Sequence, residues 1–301
     1  MTASFTDIAT QGAGGPLIPV LAVVGVGLIG GSAALALRQA GLVGQVLGVG
    51  RNAQSLAQAQ ALGLIDGVAS VEEAAAQADI ILLATPVGSL GAILAQLRPH
   101  LRAGALLTDA GSTKAEVVAE ARAALGDRIG QFVPGHPIAG AERSGPEAAD
   151  ATLYRGRTVI LSPLPENAPQ GVARVRDLWQ ACGAHVIDMD ADAHDRVLAS
   201  VSHMPHLLAA AYMAQVAGAD DAATRLALAG SGFRDFTRIA AGSPEMWRDI
   251  LLSNRDALRD ELAAVRAVLD QIEHAMAGGD GAALEALLAR AAEVRRNWRK
   301  E

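Results

Sequence analysis

A single cysteine, Cys182, stands among the 301 residues, which excludes an intrachain disulfide and any multi-cysteine metal site. Aromatic residues are nearly as scarce, at 3% against 51% hydrophobic, so the core must be built from Ala, Leu, Val and Ile. No block of Lys and Arg offsets the net charge of -7, which argues against a nucleic-acid surface. No unbroken apolar run is long enough to span a bilayer. Residues 1–18 hold no Lys or Arg and lack the regions of a secretory signal. These absences predict a cytoplasmic chain without membrane or nucleic-acid partners, opening on a flexible N-terminus at 1–18.

What is present alternates. Residues 19–24 read as a buried strand ending in glycine, and 45–49, 79–84, 105–109, 131–133, 158–161 and 185–189 repeat the signal. Between them 32–39, 55–62, 71–77, 90–97, 115–125 and 171–181 have helical composition, and a turn at 63–66 leads to Val68. From Ala191 the strand signals stop. Apolar residues then recur at three-to-four spacing in 197–216, 222–229, 246–269 and 284–294. This order predicts α/β followed by all-α: a Rossmann-like dinucleotide-binding domain at 19–190, then a helical substrate and dimerisation domain at 191–301.

Directly after the first strand comes Gly25-Val26-Gly27-Leu28-Ile29-Gly30, a G-x-G-x-x-G that opens a helix. Gly25 permits the tight turn, Gly27 lets a pyrophosphate approach the backbone, and Gly30 lets helix and strand pack closely. The N–H groups at Leu28 and Ile29 open the helix, whose N-terminus receives the negative charge. At the end of the second strand, where an NAD site carries an acidic ligand for the ribose, stand Gly50 and Arg51. With no carboxylate to repel a 2′-phosphate and a guanidinium to bind one, the expected cofactor is NADP ahead of NAD. Thr85-Pro86 closes the central strand at the edge where open α/β sheets bind ligands.

A candidate for proton transfer lies in Val133-Pro134-Gly135-His136-Pro137-Ile138-Ala139-Gly140, which reads as a stiff turn. Its flanking glycines would allow another molecule to approach the main chain, and a histidine has the near-neutral pKa that a general base needs. Two further clusters stand out. Ser202-His203-Met204-Pro205-His206 puts two imidazoles three apart at the start of a helix, with no third ligand nearby to make a metal site. Asp235-Phe236-Thr237-Arg238-Ile239-Ala240 precedes Met246-Trp247-Arg248-Asp249; Arg238 fits either a substrate carboxylate or an internal salt bridge to Asp235 or Asp249.

Taken together and in order, these segments, with Leu62-Gly63-Leu64-Ile65-Asp66 and Asp109-Ala110-Gly111-Ser112-Thr113-Lys114, resemble the prephenate/arogenate dehydrogenases of tyrosine biosynthesis along nearly the whole chain. The resemblance implies oxidative decarboxylation of a cyclohexadienyl acid, giving 4-hydroxyphenylpyruvate or tyrosine plus CO2. It implies that His136 accepts the hydroxyl proton and that Ser112 hydrogen-bonds the same hydroxyl near the nicotinamide. Arg238 would hold a substrate carboxylate, His203 or His206 would contact the substrate, and Asp235 and Trp247 would shape the pocket. Lys114 is a weaker carry-over as a substrate contact. Neither a fused chorismate mutase region nor room for an appended regulatory domain is expected, so feedback by tyrosine would act at the active site. The rival readings are an imine or β-hydroxyacid reductase of the same architecture and a non-catalytic NADP-sensing protein.

Overall fold

The computed structural model describes residues 17–140 and 143–298. Of the stretch expected to be a flexible N-terminus, residues 1–16 lie outside the described residues, and Ile18 already opens the first strand, buried. Ile18–Val24 (β1), Val43–Val49 (β2), Gly67–Val68 (β3), Ile80–Leu83 (β4), Leu106–Asp109 (β5) and Phe132–Val133 (β6) form a six-stranded sheet. Its order is β3-β2-β1-β4-β5-β6 and every pairing is parallel. Successive strand residues face opposite sides: Leu21 and Val23 join one buried cluster, Ala22 and Val24 the other. Helices must therefore cover both faces, which is why the central strands are apolar throughout. The covering helices include Leu28–Gln39 (α1), Ala53–Ala61 (α2), Val71–Gln77 (α3), Leu90–Leu97 (α4) and Ala115–Leu125 (α5). The strand order reverses between β1 and β4, which opens a crevice at their carboxyl ends.

Beyond Pro134 the chain leaves this sheet. Gly135–Pro137 (β7) pairs antiparallel with Thr158–Leu161 (β8), which pairs parallel with His185–Asp188 (β9); Pro169–Ala181 (α6) lies between the last two in sequence. His136, expected in a turn, is thus a strand residue opposite Ile160. Each proline pushes the residue before it into extended geometry, and an extended segment beside an open strand edge completes a ladder. Nor is Gly135 an opening for another molecule. A Cβ there would lie 3.0 Å from the Asp109 carbonyl oxygen and 3.2 Å from Thr108 Oγ1, so the chain itself uses the space.

Ala191–Leu198 (α7), a π-helical turn at Ala199–His203 and Met204–Ala217 (α8) form one interrupted helix, followed by Ala222–Ala227 (α9), Ser231–Thr237 (α10) and Pro244–Ser253 (α11). The π turn lies just ahead of Pro205, which has no N–H to donate back to that turn. By length and composition the stretch Ala191–Ala217 would pass as a membrane span, which run length alone did not anticipate. It carries buried His194, Asp195 and His203, although only 28% of its most apolar window is buried within this chain.

The single helix expected at 246–269 is broken at Asn254, whose side chain bonds elsewhere in the fold. The residues up to Asn254 form one compact unit, and Arg255–Ala277 (α12) with Gly281–Asn297 (α13) form a second.

Candidate active site

The fingerprint turn has the shape a dinucleotide needs. Gly25 has φ +94°, and a Cβ there would lie 2.6 Å from the Ala84 carbonyl oxygen and 3.0 Å from Thr85 Cγ2. At Gly30 a Cβ would meet the Gly25 carbonyl oxygen at 2.4 Å, whereas at Gly27 it would meet nothing within 4 Å. The turn is closed where helix and strand touch and open where a phosphate would approach. No side chain caps α1, so the first N–H groups, around half-buried Leu28 and Ile29, are left for an anion. Tyr154 donates to the Ile29 carbonyl at 2.6 Å and fixes this end of the helix. Thr85 and Pro86 are half-buried beside the turn, and Arg51 is exposed beyond β2.

His136 lies at the end of a chain of buried polar groups. Its Nδ1 is 2.8 Å from His194 Nε2, and His194 Nδ1 is 2.7 Å from Asp195 Oδ1. Asp195 Oδ1 also accepts the Lys114 N–H at 2.7 Å, and Oδ2 accepts the Ala115 N–H at 2.8 Å. Helix α5 lacks a cap from its own N-cap residue, Lys114. A carboxylate 81 residues further along the chain supplies it, where the helix dipole favours negative charge. The Lys114 side chain turns inward to an ion pair with Asp109, both fully buried. Asp109 also accepts the N–H groups of Gly111 at 2.8 Å and Gly135 at 2.9 Å, which ties the end of β5 to the residue before His136.

This burial sets the charges. It holds the His136 imidazole well below the ordinary histidine pKa, and positive charge on His194, Lys114 or His203 would lower it further. Burial pushes the Asp195 carboxyl up, but hydrogen bonds from His194 and the Ala115 and Lys114 N–H groups outweigh it and leave it below the carboxylate range. His203 is buried too, and its imidazole falls to about 4. Its Nδ1 is 3.1 Å from Asn254 Nδ2, which also donates to the Asp195 carbonyl at 2.7 Å. An amide nitrogen is only a donor, so His203 Nδ1 accepts and Nε2 carries the proton. That Nε2 is buried beside the Ser112 backbone, without a well-formed hydrogen bond among the described residues.

A second group adjoins the first. His206 stacks on Trp247 at 3.7 Å between ring centroids, while His203 meets the same indole edge-on at 6.3 Å. His206 Nδ1 donates to the Ser202 carbonyl at 2.9 Å. Burial holds its pKa down and the nearby charge of Arg238 lowers it further, although Arg238 itself is exposed. Ser112 is half-buried, with its backbone beside His203. Asp235 is exposed on α10, and Asp249 is held by Arg248 at 2.6 Å.

The comparisons with known proteins bear on this arrangement. A family model described as prephenate dehydrogenase, nucleotide-binding domain, matches residues 33–188, and one described as prephenate dehydrogenase, dimerization domain, matches 190–290. The chain belongs to the prephenate dehydrogenase family. Prephenate dehydrogenase of Bacillus subtilis (strain 168) is 34% identical over 253 residues, 83% of this chain and 68% of that protein. The crystal structure of the A. aeolicus prephenate dehydrogenase, in complex with hydroxyphenyl propionate and NAD+, matches with a TM-score of 0.84. Its identity is 33%, over 92% of this chain and 97% of that one. Synechocystis arogenate dehydrogenase matches with a TM-score of 0.77 and 30% identity, over 93% and 100% of the two chains.

As a member of the prephenate dehydrogenase family this chain is an NAD(P)-dependent oxidoreductase, and the rival imine or β-hydroxyacid reductase is set aside. Three residues of its site are not legible in the sequence: Asn254 sits within a helical pattern that reads as continuous, and His194 and Asp195 lie in an acidic stretch that looks solvated. For the last two a signal was available, because Asp190 caps α7 and sets His194 and Asp195 four and three residues before buried Leu198, on the inward face. Lys114, carried over as a substrate contact, instead points into the protein, where it neutralises Asp109.

Proposed function

We propose that this chain oxidatively decarboxylates prephenate or arogenate with NAD(P)+, giving 4-hydroxyphenylpyruvate or tyrosine plus CO2. The observation that carries this reading is the state of His136. It is buried and held neutral, with Nδ1 engaged by His194 and Nε2 left for a substrate hydroxyl, in a chain of this family. A bound nicotinamide supplies the acceptor for the hydride that leaves the hydroxyl-bearing carbon. His136 Nε2 takes the hydroxyl proton as the carbonyl forms. When CO2 departs, the bonding pair enters the ring and ends on that oxygen. The oxygen takes the proton back from His136, so the ring becomes aromatic with no net proton released.

Ser112 is the second hydrogen-bond partner of the hydroxyl in this reading. Of the two clustered histidines, His203 is the better substrate contact, because its buried Nε2–H has only the Ser112 backbone beside it and no well-formed hydrogen bond among the described residues. His206 and Trp247 stack to form a wall, and Arg238 beside them receives a substrate carboxylate. Holding the departing carboxylate too tightly would oppose its loss, so Arg238 serves to position the ring. Asp235 lies on the helix that precedes it.

NADP is the favoured cofactor, on the strength of Gly50 and Arg51 at the end of β2. The division of labour falls near residue 190, with the helical part joining two copies of the chain. Val201, Leu226, Leu228 and Leu252 are exposed in one copy, and a self-complementary interface would bury them. Steady-state kinetics over prephenate and arogenate, crossed with NAD and NADP, test the assignment. Reduced cofactor forming with one of the acids supports it, and none forming with either contradicts it.

A further inference from the structure

The structure assigns His194 and Asp195 as positioning residues that fix the tautomer of His136, so that Nε2 is the unprotonated nitrogen when substrate binds. This rests on His136 being the base, as proposed above. The argument is one of hydrogen-bond directions. Both oxygens of Asp195 accept backbone N–H groups, so the side chain is a carboxylate with only acceptors. His194 Nδ1, at 2.7 Å from Asp195 Oδ1, must then donate. A neutral imidazole carries one proton, so His194 Nε2 accepts. His136 Nδ1, at 2.8 Å, is therefore the donor, and its second nitrogen holds the lone pair.

Reversing any link reverses the outcome. If Asp195 donated to His194, then His194 Nε2 would carry the proton and His136 Nδ1 would have to accept. Nε2 would be protonated and could not take a proton from an alcohol. The carboxylate is held in its accepting state by the N-terminus of α5, so the start of that helix acts on the base through two side chains. The same chain accommodates the imidazolium that forms during turnover. His136 keeps its Nδ1 proton, and the new positive charge is met by the His194 lone pair with the Asp195 carboxylate behind it. The other charged or titratable groups around this chain are Lys114, paired with Asp109 on the α5 side, and His203 on the π turn.

The experiment uses the full chain and compares His136→Asn, His194→Leu and His194→Gln. Leucine offers no acceptor, and kcat is expected to fall about 10²- to 10⁴-fold with cofactor binding retained. Glutamine can accept from His136 and donate to Asp195, and is expected to restore kcat to within about tenfold of the native value. It removes an imidazole that can charge, so the acid limb of the pH–kcat profile should move up. Nitrogen NMR of the histidines reads the tautomer in the unaltered protein, whether or not the leucine variant folds. A proton on His136 Nδ1 and none on Nε2 is expected, and the opposite tautomer overturns the proposal. So does a His194→Leu enzyme with native kcat and pH profile while His136→Asn is inactive. An active His136→Asn enzyme would instead remove the base assignment on which the proposal rests.

Discussion

His136 and His194, 58 residues apart in the chain, meet edge-on at 62° with a 2.8 Å contact between Nδ1 and Nε2. One histidine comes from a strand of the small second sheet and the other from the first helix of the helical part. The base of the proposed reaction is therefore held by both parts of the fold, and its chemistry depends on their packing.

Its pH dependence follows from burial. The His136 imidazole is held well below 6.5 and His203 falls to about 4, so both are neutral through the neutral range. The acid limb of kcat is expected well below pH 6.5; a limb at the ordinary histidine pKa would contradict the burial argument. Stability has the same sign. With folded pKa values below 6.5, the unfolded chain binds more protons between about 4 and 6.5. The contribution of His203 is complete above 6.5 and is lost as pH falls toward 4, at up to about 1.4 kcal/mol per pH unit. Urea midpoints across that window should fall less steeply in His203→Gln than in the native protein, and equal slopes would count against it.

The fingerprint glycines should separate folding from cofactor binding. A Cβ at Gly30 meets backbone at 2.4 Å, so Gly30→Ala is expected to lower stability by about 1–3 kcal/mol in urea melts. A Cβ at Gly27 meets nothing in the protein, so Gly27→Ala should fold normally and bind NAD(P) at least about tenfold more weakly. Native affinity in Gly27→Ala would show that no phosphate lies over that turn.

Cofactor choice can be tested at Gly50, where an added Cβ would make an ordinary 3.5 Å contact with Leu56. Gly50→Asp supplies the missing ribose ligand and a charge that repels a 2′-phosphate. The ratio of kcat/KM for NADP over NAD should fall by about tenfold or more, and an unchanged ratio would remove the NADP preference.

Lys114 and Arg122 make a contrasting pair. Lys114→Met leaves the Asp109 charge buried without its partner, and urea melts should show a loss of about 3–5 kcal/mol. Arg122 and Glu166 are 46% and 38% exposed, and Arg122→Ala should change stability by less than about 1 kcal/mol.

Much of this protein is legible before any coordinates. The strand-turn-helix context of Gly25 to Gly30 and the end of strand signals at Ala191 follow from local periodicity, which the fold preserves. The prolines around His136 mark the segment as stiff and suggest a turn, because nothing in the segment itself reveals that β8 offers an open edge. His194, Asp195 and Asn254 were missed for a related reason. Each is polar and near other polar residues in sequence, and each is buried only because a partner far along the chain satisfies it.

The most direct test of the central claim is single-turnover formation of reduced nicotinamide by His136→Asn, with saturating cofactor and whichever of the two acids the native enzyme prefers. The expected result is a rate lowered by about 10²- to 10⁴-fold with native cofactor affinity. A native rate would show that another group takes the proton.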